Sequence, residues 1–531
     1  MFNFIDVAYF PFIRKRSDYD LFKQIGGQTE ISRLLPQFLK DFWWVAALYT
    51  VLMFLFALLY NHVKVKETEW YGRANFKNWS LSVFLFLLVG GFAVLCVRGG
   101  LQRVPIDFIN AGSVTKSDEI PIVLNSPFTL IKSLNRKTLE EYKFYSPAEL
   151  KNIYNPMRHF KDSTFKKQNV VILILESFSK EYTKLGNSNS LTPFLDSLMN
   201  YSLVFSNAYA NGKKSSEGIP AVLASLPSLM ENPFINSLYA NNKQTSLATI
   251  LGKEGYETAF FHGGINGTMN FDSWSASAGY KKYFGKTEYN NNNDFDNFWG
   301  IWDEPFLQFS VDKMSDFKEP FHSAVFTLSS HHPYFIPEKY KNKFPKAELK
   351  ITESIAYTDF ALRQFFTSAK KTKWYKNTLF IFSADHANIA EYTGFRNIID
   401  HHRIPILFYK PDHSITGEFK EIFSQIDILP SALQLLGYNQ PFFSFGQPFL
   451  AAKNPVSYFY QGGACYVFND SILFSIDNNS GVSAFLYKRD TNLSKNIYHK
   501  FPALDSVILK QCRAFIQSYN HTLLNNAGTT E

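Results

Sequence analysis

Reactive side chains recur along this sequence in one setting, the polar residue that ends a short apolar run. Asn169-Val-Val-Ile-Leu-Ile-Leu ends in Glu176, with Ser177 and Phe178 behind it. Phe260-Phe ends in His262, ahead of Gly263 and Gly264. His331 follows Ala324–Leu328 in Thr327-Leu-Ser-Ser-His-His-Pro-Tyr334, and Asp385 with His386 follows Thr378–Ser383 in Ser383-Ala-Asp-His-Ala-Asn388. Two carboxylates and an imidazole are a donor set for a divalent cation; the hard oxygens favour Mn2+ or Mg2+, and Zn2+ also accepts them. A ligand set one short keeps a position open for catalysis. The stretch Asn211-Gly-Lys-Lys-Ser-Ser-Glu-Gly-Ile-Pro220 holds the group that could fill it. Gly212 permits a tight turn, and Ser215 opens an expected helix, where backbone N–H groups gather anions. A Ser there either attacks phosphorus or sulfur beside a metal or caps the helix ahead of Glu217. Lys213 and Lys214 are either phosphate-binding groups or solvated charges.

The elements that must position these groups follow from periodicity. An unbroken apolar run as short as Val170–Leu175 is a central strand of a sheet covered on both faces. Further strands are expected at 258–262, 324–328, 378–383 and 404–409, with helices near 191–200, 217–226, 244–254, 350–370 and 427–436. Such alternation means an α/β sheet with helices on both faces. Ligands in open α/β sheets collect at the carboxyl ends of strands. Glu176, His262, His331 and the Asp385–His386 pair all fall at such ends. Residues 455–531 are expected as a mixed tail, with strands around Ser457–Tyr460 and Ser471–Ile476 and a helix near 503–519.

The chain has 531 residues, more than one domain. Two stretches, about 42–63 and 78–97, carry no charge and suit transmembrane helices with Trp43, Trp44 and Trp79 at their ends. The loop Lys64–Lys77 is rich in Lys and Arg, which favours a cytoplasmic loop and an external C-terminal portion. The segment Phe2–Phe12 resembles the tail of a further hydrophobic helix, as if the chain began part-way through a longer membrane domain. Residues 98–168 are expected as a juxtamembrane connector, with amphipathic pieces at Leu139–Lys143 and Ala148–Tyr154. Cys96, Cys465 and Cys512 form no framework; Cys465 and Cys512 are free thiols or one bridge. A net charge of +8 without a dense basic block gives no support for nucleic-acid binding.

Taken together, Glu176-Ser-Phe, Asn211–Pro220, His262-Gly-Gly, Ser330-His331-His-Pro and Ser383-Ala-Asp385-His386 resemble the lipoteichoic acid synthase type of membrane phosphotransferase, in the sulfatase-like branch of the alkaline phosphatase superfamily. The resemblance covers residues 169 to about 450. It implies a three-layer α/β sandwich with a mostly parallel sheet, preceded by transmembrane helices. The implied plan is a membrane segment 1–97, connector 98–168, catalytic domain 169–450 and C-terminal extension 451–531. It also implies one divalent ion, Mn2+ first with Mg2+ or Zn2+ as alternatives, held by Glu176, Asp385 and His386 with the Ser215 hydroxyl as a further ligand. Ser215 stands where such synthases usually carry a nucleophilic Thr, with Ser216 the alternative alignment. His331 matches a contact to the leaving or non-bridging oxygen. His262 matches a residue of the head-group pocket, with Lys213 and Lys214 offsetting phosphate charge. The Trp and Arg that hold glycerol phosphate in the synthases have no match after His262-Gly-Gly-Ile-Asn-Gly-Thr-Met.

The implied activity is transfer of a phosphoglycerol- or phosphoethanolamine-type head group from a phospholipid donor to a cell-envelope acceptor, outside the cell membrane that anchors the chain. Two other readings compete. A sulfatase or phosphodiesterase would share the fold, but the C/S-x-P-x-R motif that sulfatases convert to formylglycine is absent around the three cysteines and Ser215. An inactive binding or scaffold protein would not need Glu176, Ser215, Asp385 and His386 intact.

Overall fold

The structure, a computed structural model, describes residues 3–4, 6–7, 40, 42–62, 76–115, 120–134, 139–345, 349–388, 397–451, 455–477, 481–498 and 502–530. It divides into two compact units, Met1–Thr138 and Leu139–Glu531.

In the first unit, α1 spans Trp43–His62 and α2 spans Phe76–Arg98. Each contains 20 residues long and apolar enough to cross a membrane; at the helical rise these span roughly 30 Å, the thickness of a hydrocarbon layer. Phe54, Leu59, Phe86 and Val97 are all exposed along them. An apolar helix surface that protein does not cover is suited to lipid. The ends match the expected 42–63 and 78–97 to within two residues. Most of the basic loop Lys64–Lys77 and most of Phe2–Phe12 lie outside the described residues.

The second unit is built on an eight-stranded sheet: β1 (Asn169–Leu175), β2 (Ser202–Phe205), β3 (Glu257–His262), β4 (Lys282–Phe284), β5 (Phe321–Phe326), β6 (Thr378–Ala384), β7 (Ile406–Tyr409) and β8 (Gly417–Phe419). The spatial order is β8-β2-β7-β6-β1-β5-β3-β4. Neighbours are parallel except for β7, which runs antiparallel to β2 and β6. All seven residues of β1 are buried, as a strand covered on both faces requires. The register levels the reactive positions. Leu175 pairs with Ala384, so Glu176 and Asp385 leave the sheet side by side. Ile174 and His262 both pair with Phe326 of β5.

Helices α3 (Pro193–Met199), α4 (Ser215–Ala224), α5 (Leu247–Lys253), α6 (Asp303–Ser315), α7 (Ile351–Ala369) and α8 (Ile428–Leu436) complete the three-layer sandwich. Phe366 of α7 packs on Phe380 and Phe382, which share a face of β6, and Phe194 of α3 packs behind it. Helix α4 packs against α5 and α8. A second, antiparallel sheet follows: β9 (Ser457–Gln461), β10 (Ala464–Phe468), β11 (Leu473–Asp477) and β12 (Val482–Phe485). Helix α9 (Pro502–Leu524) ends the unit.

Three expectations change, one of them the strand expected at 324–328, which occupies Phe321–Phe326. Leu139–Lys143 is not helical: Leu139 N–H donates to the Tyr239 hydroxyl instead of entering a helix, and Tyr142 stacks on Phe144. The strand expected at 404–409 begins only at Ile406, because Pro405 has no N–H to give the ladder.

Candidate active site

At the end of β1 the chain turns sharply. Ser177 sits at φ 58°, a left-handed conformation costly for a residue with a side chain. The turn aims two groups of Ser177 at neighbouring acids: its N–H donates to Asp385 Oδ1 (2.8 Å) and its hydroxyl to Glu176 Oε1 (2.6 Å). Glu176 N–H donates to Thr327 Oγ1 and its carbonyl accepts from Ser330 Oγ. The backbone of Glu176 is thereby braced by the segment that follows β5.

Asp385 leaves β6 fully buried. Its N–H donates to Leu175 O, and its Oδ1 accepts from the N–H groups of Ser177 and His386. Its Oδ2 is buried without a hydrogen-bond donor and lies 3.3 Å from His386 Nε2. His386 Nδ1 lies 3.0 Å from the Ala387 carbonyl. That contact requires an Nδ1–H, which leaves the Nε2 lone pair of the neutral ring facing the acids. Donor atoms of Glu176, Asp385 and His386 all lie within 4.8 Å of one another. A bare carboxylate oxygen and a bare imidazole nitrogen converging in a buried space repel unless a cation or proton lies between them. Burial, with the Glu176 charge adding to it, pushes the Asp385 carboxyl up to about 7. Burial pulls the His386 imidazole down, but Asp385 and Glu176 outweigh it and hold it above its ordinary value. Hard oxygens plus one imidazole, with an unpartnered carboxylate oxygen among them, fit a divalent metal.

Ser215 begins α4, nine of whose ten residues are buried, and its hydroxyl lies 3.2 Å from Glu176 Oε2. The structure therefore gathers Glu176, Ser215, Asp385 and His386 into one cluster. Two devices hold the helix start against the strand end. Gly218 faces the Asp385 backbone so closely that a Cβ there would sit 1.9 Å from Asp385 O. Gln425, fully buried, donates from Nε2 to the carbonyls of Ala384 (2.8 Å) and Asp385 (2.7 Å) and accepts from Asn211 N–H (2.8 Å). Asn211 in turn accepts from Ile426 N–H and donates to Tyr458 O. Lys213 and Lys214 carry exposed side chains just ahead of the helix.

His331 follows β5, one strand from β1, and is half-buried. Its Nδ1 lies 2.9 Å from His332 O, a carbonyl that also accepts from Trp299 Nε1–H. The Trp299 ring packs on the imidazole with centroids 4.0 Å apart. Burial holds His331 below its ordinary value. His262 ends β3, two strands from β1, and is 1% exposed. It lies between the Phe271 and Phe326 rings with Nδ1 3.0 Å from the Tyr283 hydroxyl. Burial pushes its pKa down to about 3, and its Nε2 has no partner. Neither histidine belongs to the cluster of donor atoms.

Sequence reasoning missed Ser177, Gly218, Trp299, Asn211 and Gln425 as shaping residues. Only Gly218 carried a signal, since glycine inside a helix costs roughly 1 kcal/mol against alanine and so marks a close approach.

Comparison with known proteins places these features among relatives. The sulfatase family model matches residues 168–438. Lipoteichoic acid synthase 1 of Bacillus subtilis is 26% identical over 389 residues, which are 66% of this chain and 59% of that protein. The chain thus spans less than two thirds of that relative. A Vibrio parahaemolyticus protein of the alkaline phosphatase superfamily superposes with a TM-score of 0.62 at 23% identity, covering 80% of this chain and 96% of that one. The lipoteichoic acid synthase LtaP of Listeria monocytogenes superposes with a TM-score of 0.58 at 19% identity, covering 73% and 100%.

Proposed function

The chain belongs to the sulfatase family, and on that basis we propose that it is a membrane-anchored phosphotransferase working through a covalent Ser215 intermediate. It takes a phosphoglycerol- or phosphoethanolamine-type head group from a phospholipid and passes it to a cell-envelope acceptor outside the membrane. The observation that carries this reading is the Ser215 hydroxyl, 3.2 Å from Glu176 Oε2 at the start of a buried helix. A hydroxyl between acids and a helix N-terminus is placed for attack on an anionic centre.

Glu176, Asp385 and His386 would hold the divalent ion; hardness favours Mn2+ or Mg2+, and the likeness to lipoteichoic acid synthases puts Mn2+ first, with Mg2+ or Zn2+ as alternatives. Bound there, the ion supplies positive charge against the phosphoryl oxygens and favours the ionised serine hydroxyl. The remaining chemistry belongs to the chain. Ser215 Oγ attacks phosphorus and gives its proton to solvent; the bond to the diacylglycerol oxygen breaks, and that oxygen takes a proton from His331. The backbone N–H groups at the start of α4 offset charge on the non-bridging oxygens. Lys213 and Lys214 add mobile positive charge at the same helix start. His331 Nε2, on the side of the ring away from His332 O, carries the proton between solvent, leaving oxygen and acceptor. In the second half the acceptor hydroxyl attacks the phosphorylated Ser215 and restores the serine. His262 lines the head-group pocket from behind.

The bare family assignment also admits a sulfatase. The full chain in detergent, offered fluorescent phosphatidylglycerol and p-nitrophenyl sulfate in parallel, separates the two. The transferase reading expects diacylglycerol release that stops in Ser215→Ala. Sulfate release with no lipid turnover would overturn it.

A further inference from the structure

Strand register and helix stacking bring two cysteines from distant stretches onto facing surfaces. In the C-terminal sheet, Tyr458 of β9 pairs with Val467 of β10, and Tyr460 pairs with Cys465. Residues directly opposite in an antiparallel pair share a face, as do residues two apart on one strand. Tyr458, Tyr460, Cys465 and Val467 therefore point the same way. Helix α9 covers that face: the Phe515 ring stacks on Tyr458 with centroids 3.7 Å apart and planes 6° apart. Cys512 lies three residues before Phe515, close to one helical turn, so both side chains project from the same side of α9. Cys465 is 6% exposed and Cys512 0%. Both are free thiols in the structure; burial first, and then the neighbouring Cys465, raise the Cys512 thiol far above its ordinary value.

We propose that Cys465 and Cys512 are joined by a disulfide that staples α9 to the C-terminal sheet. This rests on the proposed function only through the compartment, since a disulfide persists where no reducing thiol pool reaches it. The staple bears on the site: Tyr458, held under Phe515, gives its carbonyl to Asn211 of the loop that leads to Ser215. The oxidant is an external disulfide, R–S–S–R, on a small molecule or a thiol oxidase. One cysteine thiolate attacks it, forming a mixed disulfide and releasing one R–SH. The second cysteine displaces the other R–SH, so two thiols become one S–S bond and two R–SH form. A neutral, buried Cys512 is a poor nucleophile, so the exchange takes place during folding, before α9 docks.

The full chain is produced by export to an oxidising compartment, extracted in detergent, denatured in N-ethylmaleimide and digested. Mass spectrometry is expected to find the Cys465 and Cys512 peptides linked, with maleimide on Cys96 alone. Maleimide on both Cys465 and Cys512 would overturn the proposal. In parallel, a phosphine reductant is expected to lower the Tm of the oxidised wild type by about 5 °C and to leave Cys512→Ala unmoved. A wild type whose Cys465 and Cys512 are shown by mass spectrometry to have been reduced and whose Tm is unchanged would also overturn it, whether or not the variant folds well. Lipid turnover is scored separately. Linked peptides without turnover contradict the phosphotransferase reading alone, and turnover with two free thiols contradicts the disulfide alone.

Discussion

Replacing Gly218 by alanine separates the two halves of the candidate site. An added Cβ would meet Asp385 O at 1.9 Å and the Asp385 carbonyl carbon at 2.7 Å. Non-bonded carbon contacts settle near 3.5 Å, so α4 and the end of β6 must part by roughly 1 Å or more. The obstacle is backbone, which cannot rotate away as a side-chain tip would. Overpacking of this kind costs about 1–3 kcal/mol, of which alanine's helix propensity returns about 1 kcal/mol. The protein should therefore fold with a modestly lowered Tm. Catalysis should suffer more, because the two elements being parted carry Ser215 and Asp385. A displacement of that size costs about 100-fold in rate. Initial rates of diacylglycerol release at saturating Mn2+, alongside thermal melts, test both halves of the expectation. Gly252→Ala is the control, since its Cβ would meet only Thr258 Cγ2 at 3.9 Å. A Gly218→Ala enzyme with wild-type turnover would refute the inferred link between the nucleophile helix and the Asp385 strand end.

Two further outcomes follow from the buried ionisable groups. Asp385→Asn removes a carboxylate that burial and Glu176 disfavour, so in EDTA near pH 8 the variant should be at least as stable as wild type. Mn2+ at about 100 times its dissociation constant should raise wild-type stability by about 2.7 kcal/mol and leave the variant unmoved; equal stabilisation of both would remove Asp385 from the ligand set. His322, fully buried in β5, donates from Nδ1 to Val170 O and accepts the Tyr280 hydroxyl at Nε2, and burial pushes its pKa down to about 4. Its contribution is complete above the unfolded value near 6.5 and is lost as pH falls towards 4. Urea denaturation at several pH values should show the stability gap between wild type and His322→Gln narrowing by about 3 kcal/mol between about pH 7 and pH 4; a constant gap would contradict this.

What could be read from the residues was what lies next to a clear strand. Val170–Leu175 announced a covered strand, and Glu176, Asp385 and His386 were legible because each directly follows such a run. The expected strand 324–328 instead occupies Phe321–Phe326, since His322 and Ser323 look polar in sequence but are buried in the fold. Helix α6 escaped notice because Asp303, Gln308 and Asp312 break its apolar pattern. Asp303 is in fact buried, its carboxylate accepting from Leu328 and Ser329 N–H and from the Thr358 hydroxyl. Strand β7's antiparallel course and the Asn211–Gln425 link join stretches far apart in the chain, and local periodicity carries no trace of such pairings. The trio's convergence on Ser215 belongs to the same class: the motifs named the residues, and only the register showed Glu176 and Asp385 leaving the sheet side by side.

The nucleophile assignment is the centre of the functional reading, and one measurement addresses it directly. The full chain in detergent with Mn2+ is incubated with phosphatidylglycerol or phosphatidylethanolamine, quenched in acid and digested for peptide mass spectrometry. A head-group phosphate is expected on Ser215, carried by one lipid in preference to the other and absent from Ser215→Ala. An adduct on Ser216, or diacylglycerol release with no covalent adduct on any serine, would contradict it.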